Sequence, residues 1–192
     1  MSKNRLLLIL CLLLFLVLTA CTLEDGMVDL SDAIVISQQT TEIAGIELDA
    51  FTYNDSVPGP LLTAKKGEEK SFVFYNNLSQ KTSVHFHGII PTNANDGVPL
   101  ITQDPIRPKQ MFQYNLTFPH SGLFWYHSHV DGHEQVERGL QAPFLVQEKE
   151  PVVPKENEII YVVDDLLLKD EEWYPFSTQF VHGRLGNVLT VN

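Results

Sequence analysis

The chain has 192 residues, 44% of them hydrophobic, and a formal net charge of −11. Those bounds fit a globular domain with part of a second and exclude a disordered chain. The acidic balance excludes nucleic acid as a partner, because phosphate binding needs a basic face.

In chain order, the first segment reads as a leader rather than as fold. Lys3 and Arg5 form a short basic head, and Leu6 to Leu18 is a 13-residue apolar run. That run is too short for a comfortable membrane span and suits the core of a secretory signal. Leu18-Thr19-Ala20-Cys21 resembles a bacterial lipobox, in which the cysteine is lipidated and becomes the first mature residue. A lipid on Cys21 would hold the mature protein at a membrane of the bacterial cell envelope, outside the cytoplasm. The only cysteines are Cys11 and Cys21. From Thr22 onward there can be no disulfide, no cysteine nucleophile and no thiolate metal ligand.

The body reads as β. Short β-branched or aromatic runs occur at Asp32–Ser37 and Lys70–Tyr75, and another apolar run at Ile159–Val163. Met111 to Phe118 alternates cleanly, with Phe112, Tyr114, Leu116 and Phe118 on one face. Turn signals separate the runs at Val57–Pro60, Asn95–Gly97 and Pro119–Gly122. No stretch offers a long amphipathic helix, so the expected fold is an all-β, antiparallel sandwich. Residues 21–29 read as a tether, 30–148 as the sandwich and 149–157 as a charged, proline-rich linker. The last 35 residues, 158–192, are too few for a domain of their own.

Four of the seven histidines occur as two His-x-His pairs, Val84-His-Phe-His87 and His127-Ser-His129. In a strand, alternate side chains share a face. Val84 and Phe86 would therefore meet the core, and His85 and His87 would point the other way. Their rings would start about 6.5–7 Å apart, twice the rise per residue. Nitrogens on one ion approach to about 3 Å, so one ion requires the rings to lean together, while two neighbouring ions suit parallel rings. Two such pairs on adjacent strands would make a platform of four imidazoles. Imidazole without thiolate or carboxylate suits copper, zinc or nickel. His133 follows His129 at helical spacing, and His120 and His182 read as solvated.

These motifs carry a resemblance. His85-Phe-His87-Gly88 and Trp125-Tyr-His127-Ser-His129 resemble the first two copper motifs of the multicopper oxidases, the laccase-like family. Phe51–Asn54 with Val57–Pro60, Asp96–Pro99, Thr102–Ile106, Ser121-Gly122 and Gly139-Leu140 match the surroundings of those motifs. The likeness covers residues 30–150 and continues weakly through Gly183–Asn187 and Val191-Asn192, which resemble the opening strands of a second domain. It implies a cupredoxin-type (plastocyanin-like) Greek-key β-sandwich followed by an incomplete second cupredoxin domain. The family couples one-electron oxidation of a substrate to four-electron reduction of O2 to water, using a three-copper cluster and one blue copper. By motif position, His85 would bind the type 2 copper, and His87, His127 and His129 the type 3 pair. Asp96 matches an acid beside the cluster that helps deliver protons to oxygen; an Asp-Gly pair is also a common turn.

The departures define a second set of expectations. The family's remaining histidines and its His-Cys-His motif, which makes the blue (type 1) site, are not in this sequence. The chain therefore reads as the N-terminal part of such an oxidase, inactive alone and dependent on further domains to complete the cluster. The reducing substrate, a phenol, a pigment or a metal ion, is left open. The alternative function is a non-enzymatic copper-sequestering lipoprotein, against which the half-domain's apolar strands would count. A zinc enzyme on a β scaffold would use one His-x-His and a single further ligand. A copper nitrite reductase would need a cysteine in this first domain. Neither a phosphate-binding glycine loop nor a serine nucleophile motif occurs.

Overall fold

The computed structural model describes residues 30–150, 153–177 and 183–192. The signal, Cys21, the tether up to Asp29 and His182 lie outside the described residues. No helix among the described residues is long and apolar enough to cross a membrane.

Eight strands build the sandwich: β1 (Ala33–Ile43), β2 (Ile46–Tyr53), β3 (Leu62–Lys65), β4 (Glu69–Asn76), β5 (Val84–His87), β6 (Met111–Thr117), β7 (Gly122–Ser128) and β8 (Gln141–Gln147). One sheet has the order β2-β1-β4-β6 and the other β3-β8-β7-β5. The sequence anticipates antiparallel pairing throughout, but β1–β4 and β3–β8 are parallel. The reason lies in the path of the chain, which leaves the first sheet after β2 and returns as β4 along the free side of β1. Parallel neighbours follow from crossovers and leave no local sequence signal. The β1–β2 hairpin turns at Ala44 (φ 53°) and Gly45 (φ 80°), the two left-handed positions of a tight two-residue loop.

Alternation holds where it was anticipated. Tyr114, Leu116 and Phe118 are buried, Phe112 packs against the core, and Gln113, Asn115 and Thr117 face solvent. Between the sheets lies a core rich in aromatic rings. Phe74 meets Tyr53, Phe86, Tyr114 and Tyr126 at centroid distances of 5.7–6.1 Å. Edge-on contacts of this kind add to the burial term. The buried Tyr114 hydroxyl accepts the Val84 N–H at 2.9 Å, anchoring the start of β5.

The C-terminal residues form two small ribbons: β9 (Val163–Leu166) with β12 (Val188–Val191), and β10 (Leu168–Lys169) with β11 (Glu172–Trp173). Leu166 and Leu168 pack on Ile43, Leu48 and Ala50, with Val57, Trp173 and Val188 around them. Strand β2 is thus covered on both sides, Phe51 and Tyr53 facing the main core and Leu48 and Ala50 the ribbons. Trp173 Nε1–H donates to the Asp49 carbonyl at 2.8 Å. The anticipated strand at Ile159–Val163 is shifted: pairing begins only at Val163, and Ile159 and Tyr161 are exposed. An apolar run without a partner strand has no ladder to join.

Candidate metal centre

β5 and β7 are adjacent and antiparallel, with Val84 opposite Ser128, His85 opposite His127 and His87 opposite Trp125. Val84, Phe86, Tyr126 and Ser128 point into the core and are buried. His85, His87, Trp125 and His127 therefore occupy the face turned away from it. The platform anticipated from the two His-x-His pairs forms, but staggered. Continuing the register would set His129 opposite Ser83, just beyond the ladder, so an indole rather than an imidazole faces His87.

The rings crowd together. Centroids of His85 lie 5.7 Å from His87, 5.4 Å from His127 and 5.6 Å from His129. His127 and His129 are 6.3 Å apart and nearly parallel. One ligand atom from each of His85, His87 and His127 lies within 4.8 Å of the others. His129 stands exposed at the side of this trio. The separations within each pair fall short of the untilted 6.5–7 Å, so the rings lean inward.

Two backbone carbonyls fix which nitrogen is offered. His85 Nδ1 lies 2.6 Å from the Asp96 carbonyl oxygen, and His127 Nδ1 lies 2.8 Å from the Ser128 carbonyl oxygen. A carbonyl only accepts, so each Nδ1 carries the proton and each Nε2 keeps its lone pair for a metal. His127 Nε2 is buried and has no hydrogen-bond partner. Burial, with the three neighbouring imidazoles adding to it, pushes His127 down to about 4 against the pull of its own carbonyl bond. A buried, neutral imidazole with an orphaned lone pair in an all-imidazole group fits a borderline-soft cation such as copper.

Trp125 covers the site. Its indole stacks on His127 at 4.1 Å and on His87 at 5.1 Å, both at 28°. The rings it packs are the candidate ligands. Asp96 sits where it can act on the site: its carboxylate is 3.5 Å from His85 Nδ1, beyond the carbonyl bond from the same residue. The turn that presents it depends on Gly97. At φ 78°, a Cβ there would lie 1.9 Å from the Val84 carbonyl oxygen. His133 belongs to the one-turn helix α1 (Gly132–Gln135), which excludes His129, so the two do not share a helix face. His120 is exposed in its turn. Sequence reasoning passed over Thr82, Ser128 and Gln135, which are fully buried beneath the platform.

Comparison with known proteins bears on the family and the fold. A family model described as "Multicopper oxidase" matches residues 35–151. The chain is 35% identical over 127 residues to a copper resistance protein A homolog of Pseudomonas syringae pv. tomato, covering 66% of this chain and 21% of that protein. It is 37% identical over 129 residues to the iron transport multicopper oxidase FET3 of Saccharomyces cerevisiae, covering 65% and 19%. A crystal structure of a multi-copper oxidase from Pseudomonas thermotolerans superposes with a TM-score of 0.77 at 29% identity, covering 83% of this chain and 40% of that one. The multicopper oxidase of Campylobacter jejuni, described as a metallo-oxidase, superposes at 0.71 with 26% identity, covering 83% and 35%. The chain spans about a fifth of the length of the curated relatives it matches. With the motifs, the sandwich and the family match in agreement, the chain belongs to the multicopper oxidase family.

Proposed function

We propose that this chain supplies half of the ligands of a three-copper centre in an oxidase that couples one-electron oxidation of a substrate to reduction of O2 to water. On this reading His85 serves the type 2 copper, and His87, His127 and His129 serve the type 3 pair. The observation that carries it is the meeting of His85, His87 and His127 within 4.8 Å on a face turned away from the core. Copper bound there would supply the redox chemistry. The chain's own residues hold imidazole nitrogens in the neutral, lone-pair-bearing form, screen one side with the Trp125 indole, and place the Asp96 carboxylate beside His85 to hold or pass a proton. The other half of the ligand set and the blue copper would come from further domains, with residues 158–192 as the start of the next. The reducing substrate would be a phenol, a pigment or a metal ion, the last in keeping with the name of the iron transport relative. A lipid on Cys21 would place the assembly at a bacterial envelope membrane.

A copper-sequestering role without turnover is the second reading. It gains from the packing of Leu166 and Leu168 on the sandwich, which buries part of what would otherwise be an orphan half-domain. One experiment addresses both: the purified chain is titrated with Cu(II), and copper content, electron paramagnetic resonance and oxygen uptake with a phenol are measured. The expected result is stoichiometric copper that His85→Ala and His127→Ala abolish, with no oxygen uptake by this chain alone. Unchanged binding in both variants would remove the histidine assignment, and turnover would remove the dependence on further domains.

A further inference from the structure

Six polar side chains are buried among the described residues: Thr52, Asn76, Thr82, Ser83, Ser128 and Gln135. Four of them adjoin the histidine strands. Thr82 and Ser83 lead into His85, Ser128 separates His127 from His129, and Gln135 ends the short helix that follows. A buried polar group destabilises a fold unless every donor and acceptor is satisfied. Concentrating them here calls for a local reason.

The Gln135 amide joins the group. Its Oε1 accepts from the Thr82 hydroxyl at 2.8 Å and from the Ser128 hydroxyl at 2.6 Å. Its Nε2 donates to the Lys81 carbonyl at 2.8 Å. Ser128 Oγ in turn accepts the Val130 N–H at 3.2 Å, one residue past His129. The backbone repeats the tie: Leu140 N–H donates to the Gln135 carbonyl, and Ser128 N–H to the Leu140 carbonyl. One side chain thus fastens the segment entering β5, the residue between the second pair of histidines and the turn leaving β7. The β5–β7 ladder ends here, its last pair being Val84 with Ser128, and Thr82 continues only as a single bridge to Ile106. His129 lies beyond that pair, between the contacts of Ser128 Oγ with Val130 and the helix start, where the Asp131 carbonyl accepts the Glu134 and Gln135 N–H groups.

We propose that Gln135 is a positioning residue for the metal platform, acting through Ser128 and Thr82 to set where His127 and His129 present their rings. Only an uncharged amide suits the place. A carboxylate would lack the donor for the Lys81 carbonyl, and an apolar side chain would take away that donor and the shared acceptor of the two hydroxyls, leaving them the longer contacts with each other and with the Val130 carbonyl. The proposal rests on the reading that these histidines hold copper.

The test uses the 192-residue chain and Cu(II) alone. Gln135→Leu, Ser128→Ala and the matched pair Thr82→Val and Thr82→Ser are compared with the wild type at a temperature where circular dichroism shows all of them folded. Copper affinity is read by competition with a chelator, and ligand geometry by the hyperfine splitting of the bound Cu(II). Ser128→Ala and Thr82→Val are expected to lose about ten-fold in affinity and to change the splitting, as supporting partners of metal ligands do. Thr82→Ser, which keeps the hydroxyl, should match the wild type. If Gln135→Leu does not fold, the Ser128 and Thr82 variants decide the matter. Variants that melt earlier but keep wild-type affinity and splitting would overturn the proposal and leave a merely structural network. A wild type whose binding His127→Ala does not weaken would instead overturn the copper reading on which the proposal stands.

Discussion

The two hydrophobic clusters serve different purposes. The main cluster fills the sandwich with interlocked aromatic rings, and its β5 and β7 members alternate with the histidines. The smaller one rests on the outer side of β2 and holds the ribbons with aliphatic contacts and the Trp173 ring. Orientation of the platform is a by-product of the first cluster: Phe86 and Tyr126 are fixed inward, so His85, His87 and His127 must point outward. The second cluster has no such passenger. The site should therefore respond to damage in one cluster and ignore damage in the other.

The strongest way to break the comparison is Phe86→Ala. Phe86 is fully buried and rings Phe72, Phe74, Tyr114, Tyr126 and Phe144 surround it. The cost should be about 3–5 kcal/mol, and thermal unfolding and copper uptake should fail together. Leu166→Ala comes next. It should cost about 2–3 kcal/mol, towards the low end because an outer layer can collapse into the gap. Limited proteolysis should then cut between 153 and 177 while copper binding stays as in the wild type. Trp173→Phe removes the bond to the Asp49 carbonyl and trims the ring's packing on the second cluster, and should cost about 1 kcal/mol or somewhat more, read as a small fall in melting temperature.

The mildest perturbation is pH, and here the clusters should move in opposite directions. His127 in the metal-free fold lies near 4, below its unfolded value, so its contribution is present above pH 6.5 and is lost as pH falls towards 4. Asp164, beside the ribbons, is raised, chiefly by burial, so its contribution is present at low pH and is lost as pH rises through the folded value. Hydrogen exchange between pH 6.5 and 4 should show amides near Ser128 opening on acidification, and those of β9 not following.

Much of this was legible in the sequence because period-two alternation encodes facing. Met111–Phe118 and Val84–His87 declare their buried sides in their own letters. Pairing partners are not written locally. Nothing in Val84–His87 says that Trp125 will lie across from His87, and nothing in Ala33–Ile43 says that β4 will join it in parallel. Gln135 escaped notice for a related reason: a glutamine on a short helix looks solvated until the distant Lys81 and Thr82 are brought to it beside Ser128. The Ile159–Val163 run misled because hydrophobicity reports what can be buried and not whether a neighbour arrives. Cys21 and the leader lie outside the described residues, so that reading stands on its motif alone.

The four-residue length of β5 has a consequence for how such a chain can vary. Because facing alternates with every residue, one residue inserted between Val84 and His87 would turn an imidazole into the aromatic core and a phenyl ring out to water. The same insertion at Ile90–Pro91, in the loop after β5, would leave the facing of β5 unchanged. Tolerance to insertions and deletions should thus change abruptly along a few residues, and a scan of single-codon insertions would outline the platform without any metal being added.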